Sequence, residues 1–163
     1  ATISTFEIDG TEHALTSSAP ADSAVVSLDV SRDGARLLLY LSTPLGPRLA
    51  VAGIIRDQKN VPTALGQLEY LPVASNAPID ATWVDARTVA TVSRGGEVAP
   101  VTLYEIGGPS VTFGQVPDAT TIVGGNGGAD GLRVLRTSGE VLRPQGSSWV
   151  TTGLSARVLA TKQ

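Results

Sequence analysis

Histidine occurs once, at His13, and cysteine does not occur at all. A Ser-His-Asp arrangement or an imidazole-based metal site would have to use that one ring. No partner residues stand around it at a matching spacing, so a surface or rim position on a short outer strand is the reading it supports. The absence of thiols removes disulfides, thiol catalysis and Cys-based metal sites. Carboxylates at Asp9, Asp33, Asp57, Asp85, Asp118 and Asp130 are the remaining acid–base candidates. Paired at the mouth of a channel, two of them could cleave a glycosidic bond. Each, however, stands at a turn, where an Asp side chain caps its own backbone. Asp33 with Gly34, and Asp85, are therefore predicted to be turn residues, and no catalytic residue is assigned.

The run Gly124-Gly125-Asn126-Gly127-Gly128-Ala129-Asp130-Gly131 is the most unusual stretch. It lacks the Lys-Ser/Thr that a phosphate-cradling loop requires. It approaches a calcium-binding nonapeptide, but Asp130 falls one place late and the motif occurs once. A flexible inter-strand loop is the expectation, with a small-ligand or calcium-binding module as a rival. Trp83 and Trp149 lie in strands of different units, where indoles pack between sheets or anchor an interface. Arg32, Arg56, Arg87 and Arg94, with Arg36, sit at strand ends. They are solvated termini by default and a partner-binding rim otherwise. No metal and no cofactor is expected.

The elements that would position these residues are strands. Ala24–Asp57 reads as three: Ala24–Val30, Arg36–Ser42 after the turn Ser31-Arg32-Asp33-Gly34, and Arg48–Ile55 after a loop with Pro44, Gly46 and Pro47. Leu37-Leu38-Leu39 is too apolar for a strand with one wet face, so the sheet needs cover on both sides, as a propeller blade has. Thr63–Val73 is a fourth, weaker strand. A second unit has strands at Asp80–Val84, Arg87–Ser93, Pro100–Ile106 and Ser110–Val116. A third has Thr120–Val123, Leu132–Arg136, Glu140–Arg143 and Trp149–Thr152, with Ala156–Thr161 as a tail strand. Thr2–Ile8 and Glu12–Thr16, joined at Asp9-Gly10, resemble the end of an earlier sheet. The first turn of each unit recurs at roughly 45–50 residues, the period of four-stranded blades.

The fold predicted is all-β: a partial β-propeller of about three four-stranded antiparallel blades plus a leading half-blade, with a β-sandwich as the alternative. It forms a single partial propeller domain over residues 1–163, divided as the end of a preceding blade at 1–18 and blades at 24–73, 80–117 and 119–161. Such an arc does not close a ring, so a fragment or processed chain is expected, whose open faces favour a homodimer. Charged residues make up 17% of the chain and the net charge is −3, without a basic patch; nucleic acid is excluded as a partner. No unbroken apolar stretch is long enough for a membrane-spanning helix, and no signal peptide is expected within these residues.

LDVSRDGARLLL, RLAVAGIIRD, ATWVDARTVATV and LRTSGEVLRPQGSSW follow one another with the order and spacing of landmarks in the C-terminal propeller of the LpqB-type lipoproteins of actinobacteria. The resemblance covers Val25 to Trp149. SRDG is common among propellers, whereas VAGIIRD and TWVDARTVA are more specific. The resemblance implies a secreted parent held on the outer face of the cell membrane by a lipidated N-terminal cysteine, with a GerMN-type domain before the propeller. It implies association with a two-component sensor histidine kinase and modulation of its signalling in cell-envelope and growth control. The lipid-bearing cysteine is absent from this chain, so membrane attachment is implied for the parent alone. The expected function is a non-catalytic extracytoplasmic interaction module whose partner is the external domain of the kinase. The rival is a propeller-type hydrolase of envelope glycans. It would need clustered acids on the first strand of each unit, where Ser27, Ala81 and Thr120 stand.

Overall fold

In the computed structural model, which describes residues 3–6, 9–73 and 78–159, the chain forms antiparallel sheets in two compact units, Ala1–Leu71 and Pro72–Gln163. The first unit opens with a hairpin of β1 (Ile3–Phe6) and β2 (Glu12–Leu15). The Asp9-Gly10 turn between them is held by Asp9 Oδ1, which accepts the Thr11 N–H at 2.9 Å. Ile8, placed in the first of these strands on sequence grounds, lies outside the described residues.

Next come β3 (Ala24–Val30), β4 (Arg36–Thr43), β5 (Gly46–Arg56) and β6 (Pro62–Leu65), paired in that order. Leu37, Leu39 and Leu41 point to one face of β4, with Ala50 and Ala52 of β5 beside them. Ile3, Leu15, Leu65 and Leu68 complete that core. Leu38, Leu49 and Val51 point the other way and are also buried. Both faces of β4 and of the middle of β5 are dry, as the unbroken apolar run of β4 demands, while the edge strand β3 leaves Val26 and Leu28 exposed.

Two sequence expectations are corrected here. The third strand starts at Gly46 rather than Arg48. Thr43 pairs with Gly46, so Pro44-Leu45 alone turns the chain, and Thr43 Oγ1 donates to the Gly46 carbonyl at 2.7 Å. Thr63–Val73 is not one strand. After β6 the chain leaves the ladder at Gly66, whose N–H donates to the Gly53 carbonyl at 2.8 Å. It returns as the short β7 (Glu69–Tyr70), which pairs with a different part of β5. β2 lies along β6, and Thr16 bridges Ala64 in parallel.

The second unit holds two four-stranded sheets. One is β8 (Pro78–Trp83), β9 (Thr88–Ser93), β10 (Val98–Glu105) and β11 (Ser110–Pro117). The other is β12 (Ala119–Val123), β13 (Arg133–Arg136), β14 (Glu140–Gln145) and β15 (Ser148–Ser155). Each is a meander with short connections, the topology of a blade. They share a single core, in which Val92, Val101 and Val116 of the first sheet meet Ile122, Val134 and Leu142 of the second. Ala156–Leu159, expected as a tail strand, form none, and Ala160 and Thr161 lie outside the described residues.

One feature recurs in the three larger sheets. The first strand of each carries an extra residue near its start: Val26 in β3, Ile79 in β8 and Thr120 in β12 have no partner in the ladder, while the residues on either side do. A bulge raises the local twist of a strand. Its repetition at one place marks the three sheets as copies of one structural unit.

Candidate functional site

Asp33 organises the turn between β3 and β4. Its Oδ1 accepts the hydroxyl of the buried Ser31 at 2.6 Å and the Ala35 N–H at 3.1 Å. The Ser31 bond and then the Ala35 bond hold the Asp33 carboxyl below its ordinary value of 3.8. Gly34 takes a left-handed φ of 67° there, which a side chain rarely adopts. Asp85 does the same work between β8 and β9, accepting the N–H groups of Arg87 and Thr88, each at 2.8 Å. Both carboxylates are engaged within their own turns, Asp33 also facing Arg36 Nη1 at 3.5 Å.

The four arginines do not form one group. Arg56 reaches back across its end of the sheet, donating Nη2 to the Gly34 carbonyl at 2.9 Å and Nη1 to the Asn60 carbonyl at 3.1 Å. It is a clasp between two loops. Arg32 stands at the same end of the sheet, exposed. Arg87 and Arg94 flank β9, so they lie at opposite ends of one sheet and cannot share a rim. Arg136, by contrast, pairs with Glu140 at 2.8 Å and Asp118 at 3.7 Å, and the Arg136 bond holds the Glu140 carboxyl below its usual range.

The most constrained place in the second unit is the seam between β8 and β12. Asp80 Oδ2 accepts the Ile122 N–H at 3.0 Å, and its Oδ1 accepts the Ala81 N–H at 2.9 Å. Two residues on, buried Thr82 accepts the Gly124 N–H at 3.0 Å. The strands are thus stitched by side chains where no main-chain ladder joins them. A Cβ at Gly124 would stand 2.1 Å from the Trp83 carbonyl oxygen, so only glycine permits the approach. Trp83 is itself buried.

The glycine-rich loop is therefore folded rather than free. Gly128–Gly131 form a 3-10 turn, and a Cβ at Gly131 would meet the Asn126 carbonyl at 2.7 Å. Its glycines serve backbone packing. Among the described residues, no cluster of His, Asp or Glu has the grouping that a metal ion needs. His13 is half-buried on β2, opposite Thr5.

Trp149, at the start of β15, meets Phe113 of β11 edge-on, with ring centroids 6.1 Å apart and planes at 88°. Phe113 is again a bulged residue: Val101 pairs with Gly114 and Thr102 with Thr112, leaving Phe113 unpaired between them. Sequence reading missed Asp80, Thr82 and Phe113. The signal available was the polar alternation of Asp80 and Thr82 in an otherwise apolar strand.

Repeated meanders with a common bulge and tight capped turns, two of them stitched together between β8 and β12, define a β-propeller segment. Residues 4–156 match the family described as the lipoprotein LpqB β-propeller domain, and the chain belongs to that family. No curated protein matches it.

Proposed function

We propose that the chain is a non-catalytic, extracytoplasmic interaction module of a membrane-anchored lipoprotein, and that it modulates a two-component sensor histidine kinase by binding the kinase's external domain. The observation that carries this reading is the family match over 4–156, joined to the way the polar side chains are used. Asp33, Asp80 and Asp85 are engaged with backbone N–H groups, so they support no pair of acids poised for glycan hydrolysis. Arg32 and Arg87 are exposed at strand ends held by those same aspartates. Charged groups displayed from rigid turns suit recognition of a partner. Binding that favours one kinase conformation over another shifts its signalling without a chemical step. None of the described helical segments is long and apolar enough to cross a membrane; attachment belongs to the lipid anchor of the parent.

The test is calorimetric titration of the full-length parent protein, without its lipid, into the external domain of the kinase. Saturable binding weakened by Arg32→Glu or Arg87→Glu is the expected result. No binding by the full-length parent would sink the proposal.

A further inference from the structure

A groove of about 720 Å³ opens beside Trp149, lined by Thr112, Phe113, Gln115, Ser147 and Ser148 together with Gly114 and Gly146. This volume falls within the range of small-ligand sites, about 300–1,000 Å³. Three properties of the lining select its ligand. No side chain in it is charged, so it offers no counter-charge to an ionic group. Trp149 Nε1, the only polar atom of that side chain, is buried and has no acceptor among the described residues. Whatever part of the indole side chain reaches the groove is therefore carbon. Around that carbon surface stand three hydroxyls and one amide, all short groups that can both donate and accept.

An aromatic surface carries negative potential on its face and attracts polarised C–H groups. Hydroxyls and amides at its border match a ligand that is itself hydroxylated at its edges. A hexose has this form: one face of C–H groups and a perimeter of hydroxyls. An extended peptide would instead require a straight strand edge to pair with. β11 is bent at this point, because Phe113 is bulged out of the ladder and Gly114 takes φ 142°. The bulge spoils the edge for strand addition and turns Phe113 onto Trp149.

We propose that this groove binds a neutral oligosaccharide, one ring of which stacks on Trp149. The inference stands apart from kinase binding, since it uses other residues and another ligand class.

Calorimetry on the 163-residue chain with chitotetraose, cellotetraose and decaproline tests it. Saturable binding of at least one tetraose, with Kd about 1 mM or tighter, is expected. Because Gln115 and Ser148 are exposed, the double variant Gln115→Ala/Ser148→Ala keeps the melting temperature, and it should weaken that binding about tenfold. Trp149→Phe keeps an aromatic ring against Phe113 and should also weaken it. Absence of binding by both tetraoses up to about 20 mM, a limit well above weak-ligand affinities, overturns the proposal. So does tetraose binding that the double variant leaves unchanged, which would put the sugar elsewhere. Binding of decaproline without either tetraose overturns it in favour of a peptide groove.

Discussion

Gly124 donates its backbone N–H to the buried hydroxyl oxygen of Thr82, 3.0 Å away on a strand of the neighbouring sheet. The bond closes a seam that has no main-chain ladder, and the N–H lies where water cannot replace the acceptor. Thr82→Val keeps the shape and removes the oxygen. Leaving a buried donor unpaired costs about 1–3 kcal/mol, and urea unfolding followed by circular dichroism should show a loss of that size with an unchanged m-value. A loss below about 0.5 kcal/mol would mean that the seam does not depend on this bond.

Asp80 makes the companion tie, accepting Ala81 and Ile122 N–H groups with its two oxygens. Asp80→Ala removes both acceptors and should destabilise the chain by about 1–3 kcal/mol. Asp80→Asn retains one carbonyl oxygen and should recover part of the loss. If Asp80→Ala is as stable as the parent chain, the carboxylate is free for another role, and the case against acid chemistry on the first strands weakens.

What the sequence made legible is what short-range chemistry decides. Asp33-Gly34 and Asp85 announce their turns because the carboxylate bonds backbone groups two or three residues away. The run Leu37–Leu41 announces a strand dry on both faces because no amphipathic strand reads that way. The stitches are different. Asp80 and Ile122 stand 42 residues apart, as do Thr82 and Gly124, and no local pattern pairs them. The break in Thr63–Val73 was hidden for the same reason, since it depends on the meeting of Gly66 with Gly53. Arg56 reads as a rim cation in the sequence, yet its partners are the Gly34 and Asn60 carbonyls. The groove at Trp149 needs the bulge at Phe113, and a bulge has no letter code.

The turn at Asp33 should leave a mark in acid. Its folded carboxyl titrates below 3.8, chiefly through the Ser31 hydroxyl and then the Ala35 N–H. A group with a lowered folded value stabilises the protein above its unfolded value and loses that contribution as pH falls through the folded one. The melting-temperature difference between the parent chain and Asp33→Asn should therefore hold steady from about pH 7 to about pH 5 and shrink below about pH 4. A difference that grows on acidification would reverse the sign and refute the assignment.

Gly114 is the position against which Trp149 is set. A Cβ there would stand 2.7 Å from Trp149 Nε1, and the backbone φ is 142°. Gly114→Ala must either push the indole outward or distort the bulge, at a cost of about 1–3 kcal/mol. Trp83 is buried and elsewhere, so a red shift in tryptophan emission would report Trp149 moving into water. Unchanged emission together with unchanged stability would show that the indole is not fixed by this contact.

Arg32 and Arg56 separate display from structure. They stand at one end of the same sheet, but Arg56 is bonded to two carbonyls while Arg32 has no ion pair or hydrogen bond among the described residues. Arg56→Ala should lower stability by about 0.5–1.5 kcal/mol, the net worth of ordinary hydrogen bonds. Arg32→Glu, an exposed change, should stay within about 0.5 kcal/mol. If this end of the sheet meets the kinase, Arg32→Glu in the full-length parent should slow association and raise Kd at low salt, with the effect fading as ionic strength rises. Should Arg56→Ala weaken kinase binding while Arg32→Glu leaves it unchanged at every salt concentration, the loop's fold matters to the partner and its charge does not.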